Sequence, residues 1–233
     1  MDNNNKKSII ISLDNEQLSF LHTNKQKICI VRNLMDKTMG NTIWAAFQPF
    51  QHNVIEWKDQ SFGLFASSEL HNVASRPKGP IPKDCVEDTA YSHLLYTFNQ
   101  GAFTRSFLTQ DPKETQRLNN PSSPKTYTIV NKSGGLETFG LFQTFEVSIN
   151  NKRFERVQLD AQTVGNEETI KFQVQPLPTF FIFIGPDTIQ AGDHIPTLPS
   201  DGSHSPFKLS FDTSHTQSKK VSYDSNTKEF YLS

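Results

Sequence analysis

Between Thr169 and Gln175 polar and apolar residues alternate without a fault, the period of two that a strand shows when one face is wet and the other buried. Phe145, Val147 and Ile149 repeat that spacing, and the Asn150-Asn151 pair behind them suits the positive φ angles of a tight turn, so Lys152 to Leu159 is expected as the return strand. A second hairpin is expected where Val221 to Tyr223 and Glu229 to Leu232 flank the turn-rich Asp224-Ser225-Asn226-Thr227. Ile43 to Phe47 and Phe180 to Ile184 are apolar without alternation, which marks strands covered on both faces. No stretch sustains apolar residues at helical spacing; Asp88 to Leu95 and Pro112 to Leu118 allow about two turns each.

The reading is therefore an all-β fold, an antiparallel β-sandwich in two sandwich-like halves with little helix. Residues 111–124 have few apolar side chains and are taken as a polar linker between an N-terminal β half, 8–110, and a C-terminal β half, 125–233. Phe-Gly-Leu-Phe occurs at 62–65 and again at 139–142, which suggests an internal repeat. A longer alignment sets Ile30-Val31-Arg32-Asn33 and Thr42 to Gln48 against Ile129-Val130-Asn131 and Thr138 to Gln143. The two registers exclude one another, and chance matching in a Phe-rich β chain weighs equally with either.

Composition adds the source of the core. Only 35% of residues are apolar and 20% charged, yet 19 are Phe, so a small number of large rings must do most of the burying. Lys and Arg total 23 against 24 for Asp and Glu, with the basic residues scattered. Such a balance gives no long-range pull toward nucleic acid or an anionic membrane. Ile9-Ile10-Ile11 is shorter than the hydrophobic region of a leader, and the chain is expected in the cytoplasm, or exported without a cleaved signal peptide. Cys29 falls inside an apolar run and Cys85 in a Pro-rich loop, a usage that fits a reducing compartment.

Catalytic signatures are sparse. There is no Gly-x-Ser-x-Gly elbow, and Gly134-Gly135 is an isolated pair that reads as a turn, not a phosphate cradle. Cys85 sits among Asp84, Glu87 and Asp88, which disfavour a thiolate, although His93 lies eight residues on. Glu167-Glu168 beside Gly165-Asn166 reads as a hairpin tip. No catalytic residue and no cofactor are assigned.

Two candidate sites remain. Asp193-His194, Asp201 with His204, and Asp212 with His215 repeat an Asp followed closely by a His, which are suitable metal ligands; exposed turns are the simpler account of the same residues. In the strand around Val54 to Asp59, Trp57 is most simply core. Were its face open, Trp57 with Asn53, Glu56 and Lys58 would offer a ring beside polar groups, as a glycan or peptide site needs.

The expected function is a noncatalytic binding or assembly module that recognises a protein or glycan through loops or a sheet edge, with self-association as a further expectation. Two alternatives stand beside it: a membrane-directed or pore-forming protein, and a hydrolase whose acids converge only in three dimensions.

Overall fold

A computed structural model describes residues 6–34, 41–58, 61–68, 81–109, 111–118, 120, 123–199, 205–212 and 217–233. The first elements are β1 (Lys6–Ser12), α1 (Asn15–Thr23), β2 (Gln26–Arg32), β3 (Asn41–Phe47), β4 (His52–Lys58) and β5 (Ser61–Ser67). There follow β6 (Val86–Thr89), β7 (Leu94–Asn99), β8 (Ala102–Phe107), α2 (Pro112–Leu118), β9 (Lys125–Asn131), β10 (Glu137–Ile149) and β11 (Lys152–Val164). The chain closes with β12 (Thr169–Val174), β13 (Thr179–Pro186), β14 (His194–Ile195), β15 (Phe207–Ser210), β16 (Gln217–Asp224) and β17 (Glu229–Leu232).

The expected all-β class holds, and the local signals explain much of it. Alternation at Ile170, Phe172 and Val174 buries one face of β12. Asn150 and Asn151 take φ of 49° and 66° at the β10–β11 turn, and the Asp224 to Thr227 tetrad joins β16 to β17. Of the two short helices expected, Pro112–Leu118 forms as α2, whereas Asp88 to Leu95 is the end of β6, a turn and the start of β7. The longer helix is α1, which starts from a capping box: Asp14 Oδ1 accepts from Gln17 N at 2.7 Å while Gln17 Oε1 accepts from Asp14 N at 2.9 Å.

Strand pairing does not respect the division expected at 111–124. The main sheet runs β17-β16-β1-β4-β10-β5-β6, with β11 on the other edge of β10. A second sheet runs β14-β3-β2-β13-β15 and a third β12-β9-β7-β8, so each of the three takes strands from both sides of that segment. Two contacts, β1 with β16 and β7 with β9, are parallel and depart from the antiparallel expectation; both join strands distant in sequence.

The long hairpin of β10 and β11 is the frame. One edge of β10 pairs with β5 over Thr138 to Thr144 and with β4 at Ser148 and Ile149, so β4 and β5 line up end to end along it. The second sheet packs at the β4 end, where Trp57 meets Trp44, Phe180 and Phe211 at ring separations of 5.6, 4.9 and 5.1 Å. The third sheet packs at the β5 end, where Phe62 meets Tyr127 at 5.8 Å and Phe139 meets Phe98 at 5.5 Å. One continuous apolar cluster spans both. Arg32 is buried at the junction, its guanidinium 5.6 Å from the Phe62 ring and 5.8 Å from the Phe180 ring, and donates to Gln143 Oε1 at 2.8 Å.

Candidate functional site

Among the described residues the largest aromatic exposure that is also organised lies where β6 and β8, the edges of two facing sheets, meet. β8 has β7 on one side and, among the described residues, no strand on the other. Leu108 N donates to His93 O at 3.0 Å, and this bond sets the phase of the ladder. With Leu94 opposite Phe107 and Asn99 opposite Ala102, Ala102, Thr104 and Ser106 then bond to β7, while Phe103, Arg105 and Phe107 turn their N–H and C=O groups outward. Those three side chains also share one face. Phe103 uses it to reach the core at Phe98 and Phe139, and the same face continues past the core into solvent.

What lies along it is fixed from both sheets. Arg105 Nε donates to Asp88 Oδ2 at 2.8 Å, and its Nη2 to Asp88 Oδ1, a bidentate pair that ties β8 to β6. The guanidinium stands 5.6 Å over the Tyr91 ring. His93 is stacked on Phe107 at 6.2 Å and lies 5.9 Å from Tyr91. The Tyr96 hydroxyl holds the turn beneath, donating to Thr89 O at 2.7 Å and accepting from Tyr91 N at 2.8 Å. Burial pushes that hydroxyl above its ordinary pKa, so it stays protonated and able to donate. Tyr91, Phe107 and Leu108 remain 44%, 69% and 40% exposed, so the ordered strip ends in rings that have no interior partner.

The residues singled out in the sequence lie elsewhere. Trp57 is wholly buried between the main and second sheets, which removes it as an open platform. Asn53 is buried too: its amide donates to Phe50 O and Ile11 O at 2.7 and 3.2 Å and accepts from Phe50 N at 2.8 Å, closing the turn before β4. Glu56 pairs with Lys6 at 2.8 Å, and the side chain of Lys58 lies outside the described residues. With Trp57 and Asn53 both buried, neither joins Glu56 on an open surface.

Asp193 serves a turn, its carboxylate accepting from Gln190 N at 2.8 Å, and His194 sits opposite Thr42 in the pairing of β14 with β3. Asp212 N donates to Gln217 Oε1 at 3.1 Å. Asp201, His204 and His215 lie outside the described residues. Among the described residues no three His, Cys, Asp or Glu side chains gather as a metal site would require. Cys85 donates to Glu87 Oε1 at 3.4 Å and its thiol is raised by burial, whereas His93 is engaged with Phe107 and Tyr91. Glu168 caps the hairpin tip, accepting from Gly165 N at 2.8 Å.

Sequence reasoning passed over the β8 strip because its rings are scattered over three segments. The available signal was Ala102 to Leu108 itself, where Phe103, Arg105 and Phe107 alternate with small polar residues next to a loop bearing Tyr91 and His93. Among the described residues no helix is long and apolar enough to cross a membrane. No protein-family model, no curated protein and no solved structure matches the chain.

Proposed function

We propose that the protein is a noncatalytic recognition module that takes an extended protein segment against the open edge of β8. The supporting observation is the coincidence, on one strand edge, of outward backbone groups at residues 103, 105 and 107 with exposed rings at Tyr91 and Phe107. An added strand gains main-chain bonds from the first and side-chain contacts from the second. Soluble proteins ordinarily blunt such an edge with charge, proline or a covering loop. A polypeptide suits the strip better than a sugar does, because the edge offers main-chain donors and acceptors at strand spacing, while Arg105 lies over Tyr91 and His93 covers one side of Phe107.

Selection from a phage-displayed library of extended peptides tests the reading. Enriched peptides should alternate apolar and polar residues, and Phe107→Pro, which removes an outward N–H and the exposed ring together, should abolish their binding. The substitution leaves the β7 ladder intact, so the melting temperature should change little. Failure to enrich any peptide, or binding unaffected by Phe107→Pro, would sink the proposal.

A further inference from the structure

A separate cavity of about 230 Å³ lies between α1, β13 and the β16–β17 hairpin. Its apolar wall is made by Phe20 of α1, Ile182 and Ile184 of β13, and Phe230 of β17, whose ring sits 5.0 Å from that of Tyr223. The volume exceeds the roughly 150 Å³ of an apolar cavity able to hold benzene, so a ring fits together with a short polar tail. Gln17 Nε2 donates to Tyr223 O and ties α1 to the hairpin, so the two walls are held before anything binds.

Two polar groups face this space. The Tyr223 hydroxyl makes no hydrogen bond among the described residues and, unlike the sealed Gln26 Oε1, keeps solvent contact. Tyr223 is otherwise enclosed, at 2% exposed, so that contact is with the cavity it lines. Burial, with the Asp224 charge nearby, pushes the hydroxyl above its ordinary pKa, so it stays protonated and able to donate. Lys228, exposed in the turn, lines the same cavity and has no ion pair among the described residues. Asp224 and Glu229 are paired one step along the hairpin from Tyr223 and Phe230, which puts them on its other face, and no described carboxylate lines the cavity.

We propose that this cavity is a binding site for a small aromatic carboxylate, its ring against Phe20, Ile182 and Phe230 and its carboxylate accepting from Tyr223 Oη and Lys228 Nζ. A neutral hydrocarbon would leave both donors without a partner, and a phosphomonoester would bring close to two charges to a single ammonium. The site shares no residue with the β8 edge.

The probes are phenylacetate and phenylacetamide, alike in shape but differing in charge. In a ¹H–¹⁵N titration phenylacetate should shift the backbone resonances of Phe20, Tyr223 and Phe230 saturably, and phenylacetamide should bind about tenfold more weakly, the value of one charge-assisted hydrogen bond. Lys228→Gln, in an exposed turn where the fold is not at stake, should bring phenylacetate down to the level of the amide and leave the amide's own affinity unchanged. Tyr223→Phe, which keeps the ring beside Phe230, should weaken both probes by roughly threefold to tenfold. Absence of saturable shifts, equal affinity for acid and amide, or normal binding of phenylacetate by either variant would each overturn the assignment. If Tyr223→Phe does not fold, the two probes on the wild-type protein and on Lys228→Gln decide alone.

Discussion

Phe142 stands directly across the strand pair from Gly63, and its ring fills the space that a side chain at Gly63 would occupy. Phe65 does the same over Gly140, with Leu64 opposite Leu141 between them. The two Phe-Gly-Leu-Phe segments are thus partners in one antiparallel ladder, where each glycine makes room for the other segment's ring.

Substitution at either glycine should test that arrangement. A Cβ at Gly63 would lie 2.2 Å from Phe142 Cζ, and one at Gly140 would lie 2.1 Å from Phe65 Cε1 and 2.9 Å from Asp160 O. A ring can shift in part, but a paired strand carbonyl cannot follow. Alanine recovers about 0.5–1 kcal/mol of chain entropy relative to glycine, while overpacking costs about 1–3 kcal/mol, so the clash should win. Gly140→Ala should therefore lose more than Gly63→Ala in urea unfolding. Gly63→Ala combined with Phe142→Ala should cost less than the two apart by more than about 0.5 kcal/mol; strict additivity would mean that the ring does not occupy the glycine's space.

The alternation in β12 carries a simpler expectation. Phe172 is buried in the apolar cluster and Lys171 is exposed, so Phe172→Ala should cost about 3–5 kcal/mol and Lys171→Ala close to nothing. Equal losses in the same denaturation assay would contradict the side chains' assignment to inner and outer faces.

These two cases show what was legible in the chain. Hairpins and half-buried strands announce themselves locally, through Asn150-Asn151 or the run from Thr169, because turn geometry and side-chain alternation are decided by neighbours in sequence. The pairing of β1 with β16, or of β5 with β10, depends on residues far apart, and a repeated Phe-Gly-Leu-Phe reads equally as duplication or as a cross-strand match. α1 was readable from Asp14 and Gln17 but was hidden by a weak apolar pattern, since Leu21 is its one fully buried residue. Trp57 was expected in the core and lies there, but a single strand does not reveal which sheet will cover it.

The two cysteines should behave differently toward a thiol reagent. Burial pushes Cys29 up to about 12, and burial likewise raises Cys85, which is nevertheless half-exposed beside Arg156 and Glu87. At pH 8 Ellman's reagent should titrate Cys85 slowly in the folded protein and leave Cys29 untouched until denaturant is added. Cys85→Ser should therefore abolish native reactivity. Rapid reaction of both thiols would show that β2 is not enclosed between β3 and β13.

Glu137 opens β10 half-buried beside the Ser133 hydroxyl. Burial raises its carboxyl above the ordinary value, and the Ser133 hydrogen bond offsets part of that rise. In the unfolded chain the group ionises near the usual value of about 4.3. Between the unfolded and folded values the folded state therefore holds a proton that the unfolded state has lost, and stability falls as pH rises through that window. Glu137→Gln keeps the shape and removes the titration. It should raise Tm at pH 7, and the gain should vanish below about pH 4, where the wild-type carboxyl is protonated in both states. Ser133→Ala, which withdraws the hydrogen bond to the ionised form, should instead steepen the loss of stability toward neutral pH. Melting curves of the three proteins at pH 4 and pH 7 decide the matter: a Glu137→Gln gain of equal size at both would trace it to packing, and a loss at pH 7 would mean that the carboxylate is held by a favourable ionic contact.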